Sequence, residues 1–344
     1  MRVLVVGGTR FLGPPVVTRL SNLGHEVTVF HRGEHEPSLP FGVRHVHAPE
    51  AASPVVAFPP ELTELAWDVV LSMMPVGERD ARALVETFRG VTRRLVALSS
   101  GDVYRAYGIF SGTEAGPPER MPLAEDAPLR ENLLPYSQMA GAPADLAEYE
   151  KILVEHTIFT EPSISSTVLR LPAVYGPGDR QHRFASAWRR IADGRREIVL
   201  GRRHARFRWT HGYVDDVADA IVLAVTLERA KGRVYNVGEE RTPTIAERIE
   251  AFGRALGWGG RVIAAPEEEL PPHLVVPGNF AQDIVYDTSR IRRELDWREN
   301  ASAEDAFRKT AAWEKESAAG FPHPSDEEYA AEDRAVRSGK GEAT

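Results

Sequence analysis

Val3-Leu4-Val5-Val6 is an unbroken apolar run closed by Gly7-Gly8. A short run of this kind predicts a strand buried on both faces, as in a parallel sheet. The period then changes. Val16, Val17, Leu20 and Leu23 recur at helical spacing up to Gly24. Proline fits only a first helical turn, so Pro14 and Pro15 put the start of this helix near Arg10 or Phe11. Val27-Thr28-Val29-Phe30 reads as a second strand, 43–46 as a short third, and 68–72 and 94–100 as two more, with a helix over 81–88 between them. Strands and helices alternating at this spacing predict an α/β chain with a doubly wound parallel sheet of Rossmann type. Right-handed crossovers bring the C-terminal ends of all its strands to one edge, where ligands bind. Ser99, Ser100 and Asp102 fall on that edge.

From 110 to 143 the chain is rich in Gly, Pro and acidic residues and reads as a long irregular loop, of the kind that is functional or mobile. A helix over 145–157 carries Tyr149, Lys151 and Glu155, and a strand over 167–171 leads into Pro172. Further helices are expected over 184–191 and from about 214 to 226, with Asp215 and Asp216 as caps at the positive end of the second. A strand follows at 234–238. Thr244 and Glu247, at capping-box spacing, open a helix that stops near Gly257. Asp287-Thr288-Ser289 caps a short helix, 302–315 forms the last one, and beyond Ala318 the polar, mixed-charge chain is expected to fray.

Composition narrows the class. At 344 residues the chain suffices for one large α/β domain or two modest ones, and 42% hydrophobic with 27% charged residues is ordinary for a globular protein. A formal charge of -8 argues against a general nucleic-acid binder. The absence of cysteine excludes disulfides and thiolate metal sites and points to a cytoplasmic home. No apolar run approaches the roughly 18 residues of a membrane span. The chain enters a core strand at once, which leaves no room for a signal peptide. The histidines are scattered, no His/Asp/Glu group has metal-ligand spacing, and no metal is expected. There is no Gly-x-Ser-x-Gly elbow and no phosphate loop ending in Gly-Lys-Ser/Thr, which disfavours hydrolases and NTPases.

What remains is the glycine loop. Gly7-Gly8-Thr9-Arg10-Phe11-Leu12-Gly13, directly after the first strand, is a place for a dinucleotide pyrophosphate. Sites specific for NAD carry an acid after the second strand; this chain has Arg32 there, with Arg10 as a second cation in the loop. Two arginines suit a 2′-phosphate, so the cofactor expected is NAD(P), leaning to NADP.

Six motifs occur in order: the glycine loop; Ser99-Ser100-Gly101-Asp102-Val103-Tyr104; Leu169-Arg170-Leu171-Pro172-Ala173-Val174-Tyr175-Gly176-Pro177; Tyr213-Val214-Asp215-Asp216-Val217-Ala218; Tyr235-Asn236-Val237-Gly238; and Asp287-Thr288-Ser289-Arg290. Together they resemble the extended short-chain dehydrogenase/reductases, the nucleotide-sugar epimerases and dehydratases, over roughly residues 1–315. The resemblance implies a dinucleotide-binding Rossmann domain over 1–170 to which 205–240 returns, a smaller C-terminal substrate lobe mainly over 171–316, and a polar tail over 317–344. It implies an NAD(P)-dependent epimerase/dehydratase-like oxidoreductase acting on a sugar or nucleotide sugar, and a homodimer formed through a four-helix interface that includes the Lys151 helix. Arg10 replaces the usual middle glycine, as in the subgroup with the chloroplast stem-loop-binding proteins, so a non-catalytic dinucleotide-binding or RNA-associated protein on the same fold is the alternative.

By the same resemblance, cofactor contacts fall to Gly7, Thr9, Arg10, Phe11, Leu12, Gly13, Arg32, Ser99, Lys151 and Pro172. Catalytic roles fall to Ser100, which polarises the reacting oxygen, to Lys151, and to a tyrosinate whose pKa the lysine lowers. Asp102 matches the dehydratases' acid, or accepts backbone hydrogen bonds in its loop. The family tyrosine stands four residues before the lysine, where this chain has Ala147. Tyr149 is two residues away, about 200° round a helix, and serves only if the helix starts late; Tyr136 and Tyr104 are the other phenols. Toward the substrate, the resemblance assigns Tyr104 and, from the cluster Arg202, Arg203, Arg206 and Arg208, best Arg208 for a pyrophosphate. A second family arginine is missing from Pro277-Gly278-Asn279-Phe280-Ala281-Gln282-Asp283.

Overall fold

The computed structural model describes residues 1–48, 55–137, 146–317 and 322–341. In chain order its elements are β1 (Arg2–Val6), α1 (Gly13–Asn22), β2 (Glu26–His31), β3 (Arg44–His47), β4 (Val69–Ser72), α2 (Glu78–Phe88), β5 (Arg94–Ser100), α3 (Arg105–Ser111) and α4 (Lys151–Phe159). There follow β6 (Ser165–Leu171), β7 (Ala173–Tyr175), α5 (Ala185–Ala192), β8 (Glu197–Gly201), α6 (Arg202–Arg206), β9 (His211–Tyr213) and α7 (Val214–Thr226). The chain continues through β10 (Arg233–Asn236), α8 (Ile245–Ala255), β11 (Arg261–Ala265), α9 (Ser289–Leu295), α10 (Ala303–Ser317) and α11 (Asp326–Gly341).

Seven strands form one parallel sheet in the order β10-β6-β5-β4-β1-β2-β3. Both of its faces are covered, which explains the continuous apolar runs. Val3, Val5, Val29 and Leu71 pack toward Val16, Val17 and Leu20 of α1 and Val217 and Ile221 of α7. Leu4, Phe30, Val70 and Ala97 pack toward Leu84 and Phe88 of α2 and Val154 and Ile158 of α4. Each of the valine, leucine, isoleucine and phenylalanine side chains so buried contributes about 1.5–3 kcal/mol. The smaller parallel pairs β8–β11 and β7–β9 lie in the later half of the chain, beside α5, α6 and α8. Among the described residues no helix is long and apolar enough to cross a membrane.

Several boundaries differ from the sequence reading, each for a physical reason. Helix α1 begins at Gly13, later than Arg10 or Phe11, because Phe11 adopts a left-handed φ of 49° and Leu12 is the cap. Helix α4 begins at Lys151, not at 145. Glu150, fully buried, caps it by accepting from Ile152 N at 2.9 Å and is held from outside by Arg130 at 3.0 Å. (Asp145 itself lies outside the described residues.) Helix α3 occupies part of what read as the approach to a loop. Asp215 and Asp216 do not cap α7: Asp215 pairs with Arg19 at 3.0 Å, and Asp216 accepts from the backbone N–H groups of Asn300 and Ala301. The capping box of Thr244 and Glu247 is present as expected.

The expected frayed tail is corrected most. Residues 326–341 are helical, opened by a Ser325/Glu328 box, with Ala335 and Val336 buried against Val199, Ile263 and Ala265. Glu332 of this helix is 1% exposed and bonds Arg190 of α5.

Candidate active site

The loop after β1 crosses over α1 as the glycines predict. Gly7 and Gly8 have φ of +90° and +85°, and a Cβ on Gly13 would stand 2.1 Å from the carbonyl of Gly8. Only glycine permits this approach. The cradle therefore fits a dinucleotide pyrophosphate, with one local twist. Pro14 and Pro15 remove two backbone donors from the first turn of α1, so anion donors must come from 9–12 and from the Arg10 side chain. Leu12 turns into the core, Phe11 packs beside Gly178, and Thr9 stays on the loop. Arg10 and Arg32 converge on one carboxylate, Glu34, at 3.7 and 3.1 Å.

Beyond the C-terminal ends of β5 and β6 lies a cavity of about 610 Å³, lined at its catalytic end by Ser100, Asp102, Tyr136, Tyr149 and Pro172. The late start of α4 brings these residues together. Tyr149 sits on non-helical chain just before the helix, and Lys151 is the first helical residue. The lysine's Nζ lies 5.1 Å from the centre of the Tyr149 ring. The Tyr149 hydroxyl faces Ser100 and Asp102. Asp102 Oδ1 is buried without a hydrogen-bond partner among the described residues. Ser100 Oγ accepts from Asp102 N at 3.2 Å, and Tyr136 contacts Asp102 at 3.4 Å while stacking edge-on to Tyr149.

A clamp that the sequence reading missed holds the pair. Glu150 N donates to Val76 O at 3.0 Å, Lys151 Nζ donates to Pro75 O, and a Cβ on Gly77 would stand 2.2 Å from Glu148 O. Asp80 fixes the other side by accepting from Val76 N and from Gly77 N. A glycine standing just before the helix that begins α2 was the available signal.

Charge at this end is set by burial. Burial lowers the Lys151 ammonium to about 8, against the pull of Asp102, Asp80 and Glu155. Burial also raises the Asp102 carboxyl, and it raises the Tyr149 phenol well above the usual range, helped by Asp102 and Tyr136. The phenol therefore keeps its proton.

Three other predicted residues stand elsewhere. Ser99 points to the opposite side of β5 from Ser100 and donates to Glu155 at 2.5 Å, so its side chain does not face a cofactor. Tyr104, fully buried, bonds Asn236 at 2.6 Å and Arg170 at 3.0 Å, and is available neither to substrate nor as the proton carrier. Arg208 lies outside the cavity lining and is bound by Asp283 through Nε at 2.9 Å and through its backbone N at 2.9 Å.

The fold does gather His31, Glu36 and His45, whose ligand atoms lie within 4.8 Å of one another, although their spacing gave no hint of it. The Gly33 N–H donates to His31 Nδ1, so neutral His31 carries its proton on Nε2 and gives it to His45 Nδ1 at 2.9 Å. The group is a hydrogen-bonded pair in this state.

Comparison with known proteins places this geometry. The model of the NAD dependent epimerase/dehydratase family matches residues 3–238. A 2′-dehydrokanamycin reductase of Streptomyces kanamyceticus is 28% identical over 280 residues, covering 78% of this chain and 70% of the relative. A probable UDP-arabinose 4-epimerase of Oryza sativa subsp. japonica is 26% identical over 365 residues, covering 94% and 81%. Among solved structures, a UDP-glucuronic acid 4-epimerase of Bacillus cereus, in complex with UDP-glucuronic acid and NAD, superposes with a TM-score of 0.65 at 16% identity over 92% of this chain and all of that one.

Proposed function

This chain belongs to the NAD-dependent epimerase/dehydratase family, and on that premise we propose that it is an NAD(P)-dependent oxidoreductase that reduces a carbonyl on a sugar or sugar-like substrate. One observation carries the reading: Tyr149 shares the cavity end with Ser100 and Asp102, with Lys151 Nζ 5.1 Å from its ring centre, and burial keeps its phenol protonated. A neutral phenol at hydrogen-bonding range is an acid, and carbonyl reduction needs one at the oxygen that gains charge. The bound dinucleotide supplies the hydride. Ser100 polarises the carbonyl oxygen, Tyr149 delivers its proton there, and Lys151 beneath the ring stabilises the phenolate left behind. Asp102, its carboxyl raised by burial, is the next proton store behind the tyrosine. Tyr149 thus takes the role that Ala147 leaves open, and this favours an enzyme over a non-catalytic scaffold.

For the cofactor we favour NADP. Arg10 and Arg32 sit beside the cradle and share only the exposed Glu34. Exposed pairs of this sort are worth less than about 1 kcal/mol, so a 2′-phosphate displaces the carboxylate at small cost. Calorimetric titration of cofactor-free protein with NADP and NAD tests the reading. NADP is expected to bind more tightly, and Arg32→Asp to remove about 1.5–3 kcal/mol of that binding, the worth of a charged hydrogen bond. Binding of neither nucleotide sinks the redox reading; equal binding of both sinks the NADP preference alone.

A further inference from the structure

We propose that the cavity takes a phosphate-free substrate, an uncharged or cationic alcohol or ketone with apolar surface, and excludes nucleoside-diphosphate sugars. This rests on the redox reading of the same site and adds what its far end selects.

A buried diphosphate needs cationic donors that are not already committed. Three arginines line the cavity, and each is neutralised from within. Arg183 binds Asp179 at 2.6 Å and the Val174 carbonyl at 2.7 Å. Arg190 binds Glu332 at 2.9 Å and Ser186 Oγ at 2.8 Å. Arg248 binds Glu239 at 3.0 Å and the Trp209 carbonyl at 3.3 Å. The side chains of Arg190 and Arg248 are each 4% exposed, so solvent screens these pairs little.

Two of the three lining histidines add no charge to replace them, and the third is already bonded to a carboxylate. Burial pushes His204 down and His211 well down, so both are neutral, and His273 is hydrogen-bonded to Glu332 at 2.9 Å. Arg208, the cation expected for a pyrophosphate, is tied to Asp283 outside the lining. Residues 138–145, outside the described chain, contain no lysine or arginine, so that stretch supplies no cation either. A diphosphate entering here would meet guanidinium groups whose charge is already balanced by carboxylates behind the cavity wall, with Asp102 at the catalytic end. Both terms oppose it.

Much of the remaining wall is apolar, with Ile198 and Leu200 from β8, Leu274, Val276 and the Trp209 ring, and its uncharged polar groups include Gln181 and Ser186. Two of the three neutralising carboxylates, Glu239 and Glu332, lie beyond residues 3–238, the part of the chain that the family shares. The charge balance of this cavity therefore draws on residues beyond the matched span.

The test is a calorimetric titration of the protein, loaded with whichever nicotinamide dinucleotide it binds, with UDP and with inorganic pyrophosphate. The expected result is a Kd weaker than about 1 mM for both probes. Either probe binding more tightly than that overturns the proposal and leaves the redox reading standing. The cofactor titration in the same cell is the control. Should no cofactor bind, the redox reading fails by itself, and the UDP and pyrophosphate titrations of the unloaded protein still decide whether the cavity accepts phosphates.

Discussion

Lys151→Met separates what the lysine costs the fold from what it gives the site. Methionine keeps the length and apolar stem of the side chain and removes the charge. Burial takes the ammonium from 10.5 down to about 8. A shift of that size corresponds to about 3 kcal/mol of destabilisation by the charged form. Because a base whose folded pKa is lowered resists protonation only in the native state, this cost is present in full below pH 8. It fades as the pH rises toward 10.5, where the unfolded chain also releases the proton. Between pH 8 and pH 10 the wild type should therefore gain about 2 kcal/mol on Lys151→Met. The absolute difference at neutral pH also contains the lost bond to Pro75 and the contact with the Tyr149 ring. Its change with pH does not. Buried tyrosines, all raised above their ordinary pKa, contribute equally to both proteins and cancel in the difference. Urea unfolding followed by tryptophan fluorescence, for both proteins at pH 7, 8, 9 and 10 without cofactor, measures it. A difference that stays flat to within about 0.5 kcal/mol, the ordinary error of additivity, refutes the argument that Lys151 is buried as a charged group. Turnover should collapse in the variant at every pH.

Two further substitutions probe the same end of the cavity. Tyr149→Phe removes only the proton carrier and should lower kcat about 10²–10⁴-fold, the range of positioned acids, with dinucleotide affinity unchanged by calorimetry; normal turnover would move the proton to Tyr136. Gly77→Ala places a Cβ 2.2 Å from Glu148 O, and the displaced segment carries Tyr149 with it. Rate measurements should show a loss of about 10²-fold, as for a reacting group misplaced by an ångström, while the melting temperature falls only a few degrees.

The parts of this chain legible in its sequence are those whose causes are local. The strand, glycine loop and helix over the first 22 residues follow from an apolar run, close backbone packing and a period change, and the box of Thr244 and Glu247 opens α8 where it should. The start of α4 was hidden because its cap, Glu150, depends on Arg130 and Val76, which lie far off in the chain. Tyr149 looked misplaced for that reason alone. Arg208 and Tyr104 read as ligand contacts because their partners, Asp283 and Arg170, are 75 and 66 residues away. Helix α11 was half legible: the box of Ser325 and Glu328 is local, but its burial depends on Val199 and Ile263.

In a helix, the turn itself keeps a tyrosine and a lysine on one side at a spacing of four, and no other segment is needed. Here the spacing is two, and the relation is kept by the stretch from Pro75 to Gly77 pressing on 148–151. The two stretches therefore act as one mechanical unit. Sister chains with a Tyr-x-Lys opening the helix equivalent to α4 should carry glycine at the position before α2, while chains with the four-residue spacing are free to place a side chain there. That covariation would mark out a lineage in which the proton carrier changed its place in the sequence without leaving the cavity.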